Sequence, residues 1–193
     1  RDQSMIGRVR SSIGAAVLAG SACSVLAPHS AAGVIGFELS VAGTNQGNPA
    51  IAVKNLSDAV TLDFLELTIG DTAFHFDTAG GLTTTAGASG NILTPDAIVG
   101  GVVSDVVQIS FNGMGPNFVA QWGSLLQPDV PPAAVDYEKI LFSNGAAPNS
   151  VATAPFSDST VLQLTLDDRS PVPQFHVFSI LVPRPGLPGA LMA

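Results

Sequence analysis

The chain has 193 residues, a mean hydropathy of +0.41, 11% charged residues and a formal net charge of −8 at pH 7. So apolar a composition disfavours intrinsic disorder. The chain has seven Lys and Arg residues against fifteen Asp and Glu residues. This excess of negative charge disfavours nucleic acid or an anionic membrane surface as a partner. Twenty glycines and fourteen prolines, scattered without a period, separate many short apolar runs. This composition is typical of strands joined by turns and predicts an all-β protein.

Residues 1–32 have the organisation of a secretory signal peptide preceded by four upstream residues. A basic start leads into a small and apolar segment over residues 13–26, and the small residues 30–32 provide the −3 and −1 positions that signal peptidase reads. A membrane-spanning helix is the alternative, but it needs roughly 20 apolar residues in a row, and Pro28 ends this run early. We expect cleavage before Gly33 and a secreted or cell-surface protein.

Cys23 lies within this segment and is the only cysteine of the chain. Its position raises the alternative of a lipid-modified N-terminus, but Gly20 stands where a lipoprotein signal usually has a Leu-like residue. Cleavage after residue 32 leaves 161 residues with no cysteine, four basic and fourteen acidic residues. The mature chain is therefore expected to be stable without disulfides and to carry a net charge of about −10.

The first half of the mature chain alternates between apolar and polar residues in several segments. Residues 33–42 predict a half-buried strand, and residues 50–55 predict a second strand that forms a hairpin with the first. In residues 59–69 the apolar phase changes near Phe64, which predicts either a β-bulge or a strand buried on both faces. Residues 78–101 read as a long loop that either hides a weak strand near residues 91–93 or is itself functional.

The second half continues the same pattern. Strands are predicted over residues 102–111, 136–142, 161–166 and 175–182, and the proline-bearing residues 127–135 are predicted to form a loop or an extended edge. No helical period occurs outside the signal peptide. The sequence predicts one antiparallel β-sandwich of jelly-roll or immunoglobulin-like type over residues 33–182, followed by a Pro-rich tail over residues 183–193.

The tail follows the last predicted strand as Val-Pro-Arg-Pro-Gly-Leu-Pro. It resembles the front half of a VPLPA-type sorting signal, a relative of PEP-CTERM signals, through Val182, Pro183, Pro185, Leu187 and Pro188. Arg184 replaces the usual Leu, and the membrane segment and basic tail of the family do not follow, so the signal is expected to be truncated. The resemblance implies export by a Gram-negative bacterium, a membrane-bound sorting enzyme as a partner, and a surface or matrix fate. It implies no substrate.

No catalytic, zinc, phosphate-binding or EF-hand motif occurs in the sequence, and His75 and His176 are expected at the surface or rim. Carboxylates are the remaining candidates. Asp136 and Glu138 would share a strand face, and Asp167 and Asp168 would end a strand, where they could bind calcium in an exported β-sandwich. The alternatives are a solvated acidic face, which needs no ligand, or an acid and base pair for glycoside cleavage.

Trp122 is the only tryptophan and is either a core residue or a sugar-stacking platform. The expected function is a non-enzymatic structural or adhesive role at the surface or in the matrix, with cell-surface polysaccharide or matrix proteins as partners and no resident cofactor. The alternative is a calcium-assisted carbohydrate-binding module. An exposed Trp122 beside the acidic loops would favour the module, whereas the structural role allows a buried Trp122.

Overall fold

The computed structural model describes residues 33–43, 47–94, 105–130, 134–142, 148–167 and 175–184. These residues form ten strands and one short helix: β1 (Val34–Ala42), β2 (Ala50–Asn55), β3 (Phe64–Thr68), β4 (Phe74–Thr84), β5 (Ser89–Thr94), β6 (Val106–Asn112), β7 (Val119–Pro128), α1 (Tyr137–Phe142), β8 (Val151–Pro155), β9 (Val161–Thr165) and β10 (Phe175–Pro183).

The strands form two five-stranded antiparallel sheets, which confirms the predicted β-sandwich. Sheet 1 has the order β10-β1-β2-β7-β4, and sheet 2 has the order β5-β6-β3-β8-β9. The first and last strands of the domain are neighbours, since β1 pairs with β10 over nine residues and with β2 in the predicted hairpin. In sheet 1, β10 and β4 are the edge strands, and in sheet 2 they are β5 and β9.

The core lies between the sheets and follows from period-two alternation in each strand. In β1 the residues Phe37, Leu39 and Val41 are fully buried, while the residues between them face outward. Sheet 2 contributes the buried side chains of β3 and β6, and Phe76 and Trp122 fill the space next to them. Each buried side chain of this size contributes roughly 1.5–3 kcal/mol of hydrophobic stabilisation.

The structure confirms that the buried positions change phase near Phe64. Leu62 and Leu65 are both fully buried, although an unbroken strand would place them on opposite faces. The strand β3 begins only at Phe64, and Leu62 forms an isolated bridge with Phe156 of the neighbouring segment. The alternative of a strand buried on both faces is wrong, because Asp63 between them is exposed.

The prediction of a long loop over residues 78–101 is wrong for residues 78–84, which belong to β4. The prediction of a hidden strand near residues 91–93 is confirmed. The strand β4 continues to Thr84 through Gly80 and Gly81, with register shifts against β7 between Phe76 and Thr78 and between Gly80 and Thr83. The strand β5 occupies the place of the expected weak strand. Residues 95–104 lie outside the described residues.

The predicted strand over residues 136–142 is wrong, because this segment forms the helix α1. The first helical hydrogen bond runs from the Ile140 amide to the Asp136 carbonyl at 3.0 Å. The Asp136 carboxylate accepts a bond from the Glu138 amide at 3.2 Å, which is the geometry of a helix N-cap. The strand β8, which the sequence analysis does not predict, follows this helix and pairs with β3 and β9.

The side chain of Asn55 hydrogen-bonds to the backbone of segments outside its own strand. Its side chain is fully buried, and its Nδ2 donates to the carbonyls of Val60 and Met114 at 2.8 and 2.9 Å. Its Oδ1 accepts from the Ser57 amide at 2.9 Å. One side chain therefore satisfies three backbone groups in two separate stretches of chain, where unpaired buried groups would be costly.

Candidate functional site

The strand β10 presents a different chemistry on each of its faces. The inward residues His176 and Phe178 are buried, whereas Val177, Ser179 and Leu181 are exposed. The inward face packs against α1, and the outward face is open to solvent.

His176 joins β10 to the helix α1. The imidazole is 2% exposed, and its Nε2 lies 3.1 Å from Oε1 of Glu138. The Glu138 side chain is 30% exposed and therefore reaches both the buried histidine and solvent. This contact corrects the expectation that His176 lies at the surface or rim.

Aromatic rings surround the same histidine. The Phe142 ring lies 4.5 Å from the His176 ring and 5.1 Å from the Phe178 ring, measured between centroids. The Tyr137 ring meets both His176 and Phe142 edge-on, at 6.5 and 6.3 Å. These distances fall within the range in which aromatic pairs stabilise each other beyond simple burial.

Tyr137 completes the polar part of this cluster. Its hydroxyl lies 3.4 Å from both the Gly43 carbonyl and Oε1 of Glu138. Burial of the phenol, followed by the nearby Glu138 carboxylate, raises the pKa of Tyr137 to about 12. The phenol therefore stays neutral in the folded protein well into alkaline solution.

The geometry of this cluster suits a structural role. A histidine beside a carboxylate is a common arrangement for proton transfer, but a ring that is 2% exposed and enclosed by phenyl groups gives a substrate no access. The contacts instead fix α1 against β10 and beside the end of β1. In the sequence, the signal for this cluster is the combination of an N-cap Asp136 and the aromatic residues that follow it.

The structure brings together only two of the four carboxylates proposed for calcium. Asp136 and Glu138 stand at the start of α1, not on one strand face, and both are engaged within the protein: Asp136 caps the helix and lies 3.7 Å from Lys139. Asp167 follows β9, and Asp168 lies outside the described residues. Within the described ranges, no group of three or more His, Cys, Asp or Glu side chains could hold a metal ion.

Trp122 lies in the core. It is 1% exposed, and its indole Nε1 donates to the hydroxyl of the buried Ser124 at 3.1 Å. An enclosed ring offers no face to a sugar, so Trp122 is not the stacking platform that the carbohydrate-binding alternative requires. The buried position matches the core interpretation of this residue.

His75 also has an acidic neighbour. Its Nδ1 lies 2.6 Å from Oδ1 of Asp129, and the Asp129 amide donates to the Ala73 carbonyl at 2.9 Å. These contacts tie the chain that leaves β7 to the start of β4. They form a brace between neighbouring strands.

The outward face of β10 is the second candidate site. Val177 and Leu181 are 46% and 54% exposed, and Ser179 lies between them. We call these three residues the β10 edge. The Leu181 side chain lies over Gly36 of β1, where a Cβ would come within 2.6 Å of its Cδ1. Gly36 therefore allows Leu181 to lie close to the sheet while leaving half of its surface in water.

The sequence analysis predicts this strand but not its position at the edge of the sheet. Both faces of β10 are apolar in the sequence, a pattern that fits a central strand as well as an edge strand. Only the strand order distinguishes the two. The pattern that identifies this site is an apolar outward face on a strand that has a neighbour on one side only.

Comparison with known proteins adds no relative: no protein family, curated protein or solved structure matches this chain. In the portion of the chain that the structure describes, no helix has the length and hydropathy needed to cross a membrane.

Proposed function

We propose that this protein is exported and acts without catalysing a reaction, as a structural or adhesive component of the cell surface or extracellular matrix. The observation that carries the proposal is the β10 edge, whose apolar side chains are exposed on an edge strand of sheet 1. An edge strand with exposed apolar side chains is a template for pairing with another chain. The pattern of residues 1–32 supports a role outside the cytoplasm.

The carbohydrate-binding alternative finds no support in the described residues. Its aromatic platform is buried, and two of its four proposed calcium ligands serve the N-terminal turn of α1. Polar side chains of the described core hold loops and strands together, as Asn55 and Ser57 illustrate. Association through an outer face is the role that these observations favour.

Export is tested by producing the full chain in a Gram-negative host and separating cytoplasm, envelope and medium. We expect the protein in the envelope or medium with Gly33 as its first residue, as determined by mass spectrometry. Leu18→Arg places a charge in the apolar segment and should retain the uncut protein in the cytoplasm. The matched variant Leu93→Arg, at an exposed position of β5 outside that segment, should leave export unchanged. An intact wild-type chain confined to the cytoplasm would refute the proposal.

The structural or adhesive role is tested on the same cells. Surface protein that stays with washed cells or with isolated matrix, and that is released by mild denaturant, would support it. Wild-type protein that is recovered only as a freely soluble component of the medium would argue against it. Both measurements use the processed protein as the host delivers it.

A further inference from the structure

We infer that the β10 edge binds a second copy of this chain, strand β10 against strand β10, antiparallel about Ser179. This inference rests on the proposed function and names the partner: another molecule of the same protein. Two sandwiches joined in this way would share one continuous sheet 1.

The backbone of β10 has hydrogen-bonding groups available on its outer side. Arg184 donates to the Gly33 carbonyl, and the register with β1 continues from this pair without a break. In an antiparallel pair, alternate residues direct both N–H and C=O to the neighbouring strand. Because Arg184 bonds to β1 and every second residue of a strand shares this direction, the even-numbered residues of β10 bond to β1. Val177, Ser179 and Leu181 therefore direct their backbone groups away from the sheet.

The edge at β10 lacks the protection that the other described sheet edges have. Edge strands are usually guarded by charge, proline, bulges or short length. At the other edges, β4 contains Asp77 and two register shifts, β5 contains a register shift, and β9 has only five residues. By contrast, β10 has nine residues in unbroken register, no Asp, Glu, Lys or Arg, and a proline only at its last position.

The order of residues in β10 suits pairing with itself. Antiparallel pairing centred on Ser179 places Val177 opposite Leu181 of the second copy, and Leu181 opposite Val177 of the second copy. These are the exposed residues whose backbone groups are available, so the paired residues would exchange their N–H···O bonds while the apolar side chains meet. A two-fold axis makes each contact occur twice, as in most homodimers.

Charge also favours this face. Two copies of the mature chain, each with four basic and fourteen acidic residues, repel one another over most of their surfaces. The β10 strand carries no acidic residue, and on the neighbouring β1 the outward Glu38 stands opposite Lys54 of β2 in the sheet register. Glu38, which stands opposite Ser179 in the register with β10, therefore has a basic residue opposite it on its other side.

The first test measures the mass of the exported protein by analytical ultracentrifugation over a range of concentrations. We expect a monomer–dimer equilibrium. Leu181→Lys should raise the dimer dissociation constant at least about tenfold, because it introduces a charge into the apolar contact. Leu93→Lys is the matched control, since Leu93 is 50% exposed on β5, an edge strand of sheet 2; it should change the constant by less than about twofold. A monomeric wild type at all concentrations, or equal effects of the two variants, would overturn the inference.

A second test does not depend on how well Leu181→Lys folds. In a Cys23→Ser background, Ser179→Cys places one thiol on each side of the two-fold axis, within the Cα separation that a disulfide accepts. Mild oxidation should yield a covalent dimer. Ser89→Cys, an exposed serine on β5, should not. Trp122 fluorescence confirms that both variants are folded. Equal cross-linking of both variants, or none of Ser179→Cys, would contradict the strand pairing.

The two proposals can fail separately. A wild-type protein that stays with the cell surface but is monomeric and does not cross-link would keep the proposed function and overturn the dimer. A dimer that is recovered only from the cytoplasm would keep the dimer and overturn the proposed function. Each result assigns the failure to one of the two.

Discussion

Oε1 of Glu138 lies 3.1 Å from Nε2 of the buried His176, and this polar contact joins the aromatic contacts that connect the helix α1 to the last strand of the domain. The helix has only six residues, too few to be stable in isolation. Its position therefore depends on what it touches. Glu138, Tyr137 and Phe142 supply those contacts.

Removal of the Glu138 carboxylate should loosen α1. We expect Glu138→Ala to lower the free energy of unfolding by about 1–3 kcal/mol, because the buried imidazole loses this partner. Glu138→Gln, which keeps an oxygen acceptor, should cost less. Urea unfolding followed by Trp122 fluorescence measures both. Lys139→Ala on the same helix is the control, and its side chain is 67% exposed; a loss as large as that of Glu138→Ala would show that the histidine contact has no special role.

The single tyrosine makes an alkaline titration specific to one residue. The folded pKa of Tyr137 is raised to about 12 from an ordinary value of 10.0. A raised pKa contributes stability that is fully present below the unfolded value and is lost as the pH rises through the folded value. We therefore expect stability to fall between pH 10 and 12, by about 1–2 kcal/mol after allowance for the solvated Glu138.

Tyrosinate absorbance measures this titration directly, and Tyr137→Phe supplies the control. The variant should show no stability loss of this origin over the same pH range. A wild-type phenol that titrates near pH 10 while the Trp122 signal remains native would contradict the described environment of Tyr137.

Asn55 should be one of the most sensitive polar positions. Asn55→Ala leaves two buried carbonyls without their donor, and we expect a loss of about 2–4 kcal/mol. Asn55→Asp should be at least as harmful, because it removes the same donor and buries a charge. Denaturant unfolding measures both variants. Asn91→Ala, at an exposed position of β5, should change stability by less than about 0.5 kcal/mol; similar losses at the two sites would contradict this account.

Gly36 should tolerate no side chain. A Cβ at this position would collide with the Ile180 carbonyl and would lie 3.0 Å from the Leu181 Cα, so β10 would have to move away from β1. We expect Gly36→Ala to destabilise the protein by about 1–3 kcal/mol. Gly80→Ala, where nothing lies within 4 Å, should be neutral or slightly stabilising. Thermal unfolding of the pair checks the difference, and equal midpoints would contradict it.

The sequence alone predicts most of the strands because strand alternation is local. It predicts β1, β2, β9 and β10 nearly to their ends, together with the sandwich class. It does not predict the passage of β4 through Gly80 and Gly81, because paired glycines usually signal a turn. Here the neighbouring β7 holds the segment in the sheet on both sides of the glycines.

The candidate sites were harder to predict because they depend on distant pairing. The segment Tyr137–Phe142 is too short to distinguish a helical from a strand period, so only the Asp136 cap distinguishes the two. The burial of His176 follows from α1 covering β10, and the β10 edge follows from strand order. Neither relationship leaves a local pattern in the sequence.

The pairing of β1 with β10 also constrains when the domain can be completed. It joins Val34 to Pro183, nearly the full length of the described chain, and pairing over such a separation is slow to form. A nascent chain emerging from a ribosome or a translocation channel can form the β1–β2 hairpin early, but sheet 1 is unfinished until its final strand has emerged. Sheet 1 therefore stays incomplete until residues 175–183 have been synthesised, a state that is compatible with the proposed export.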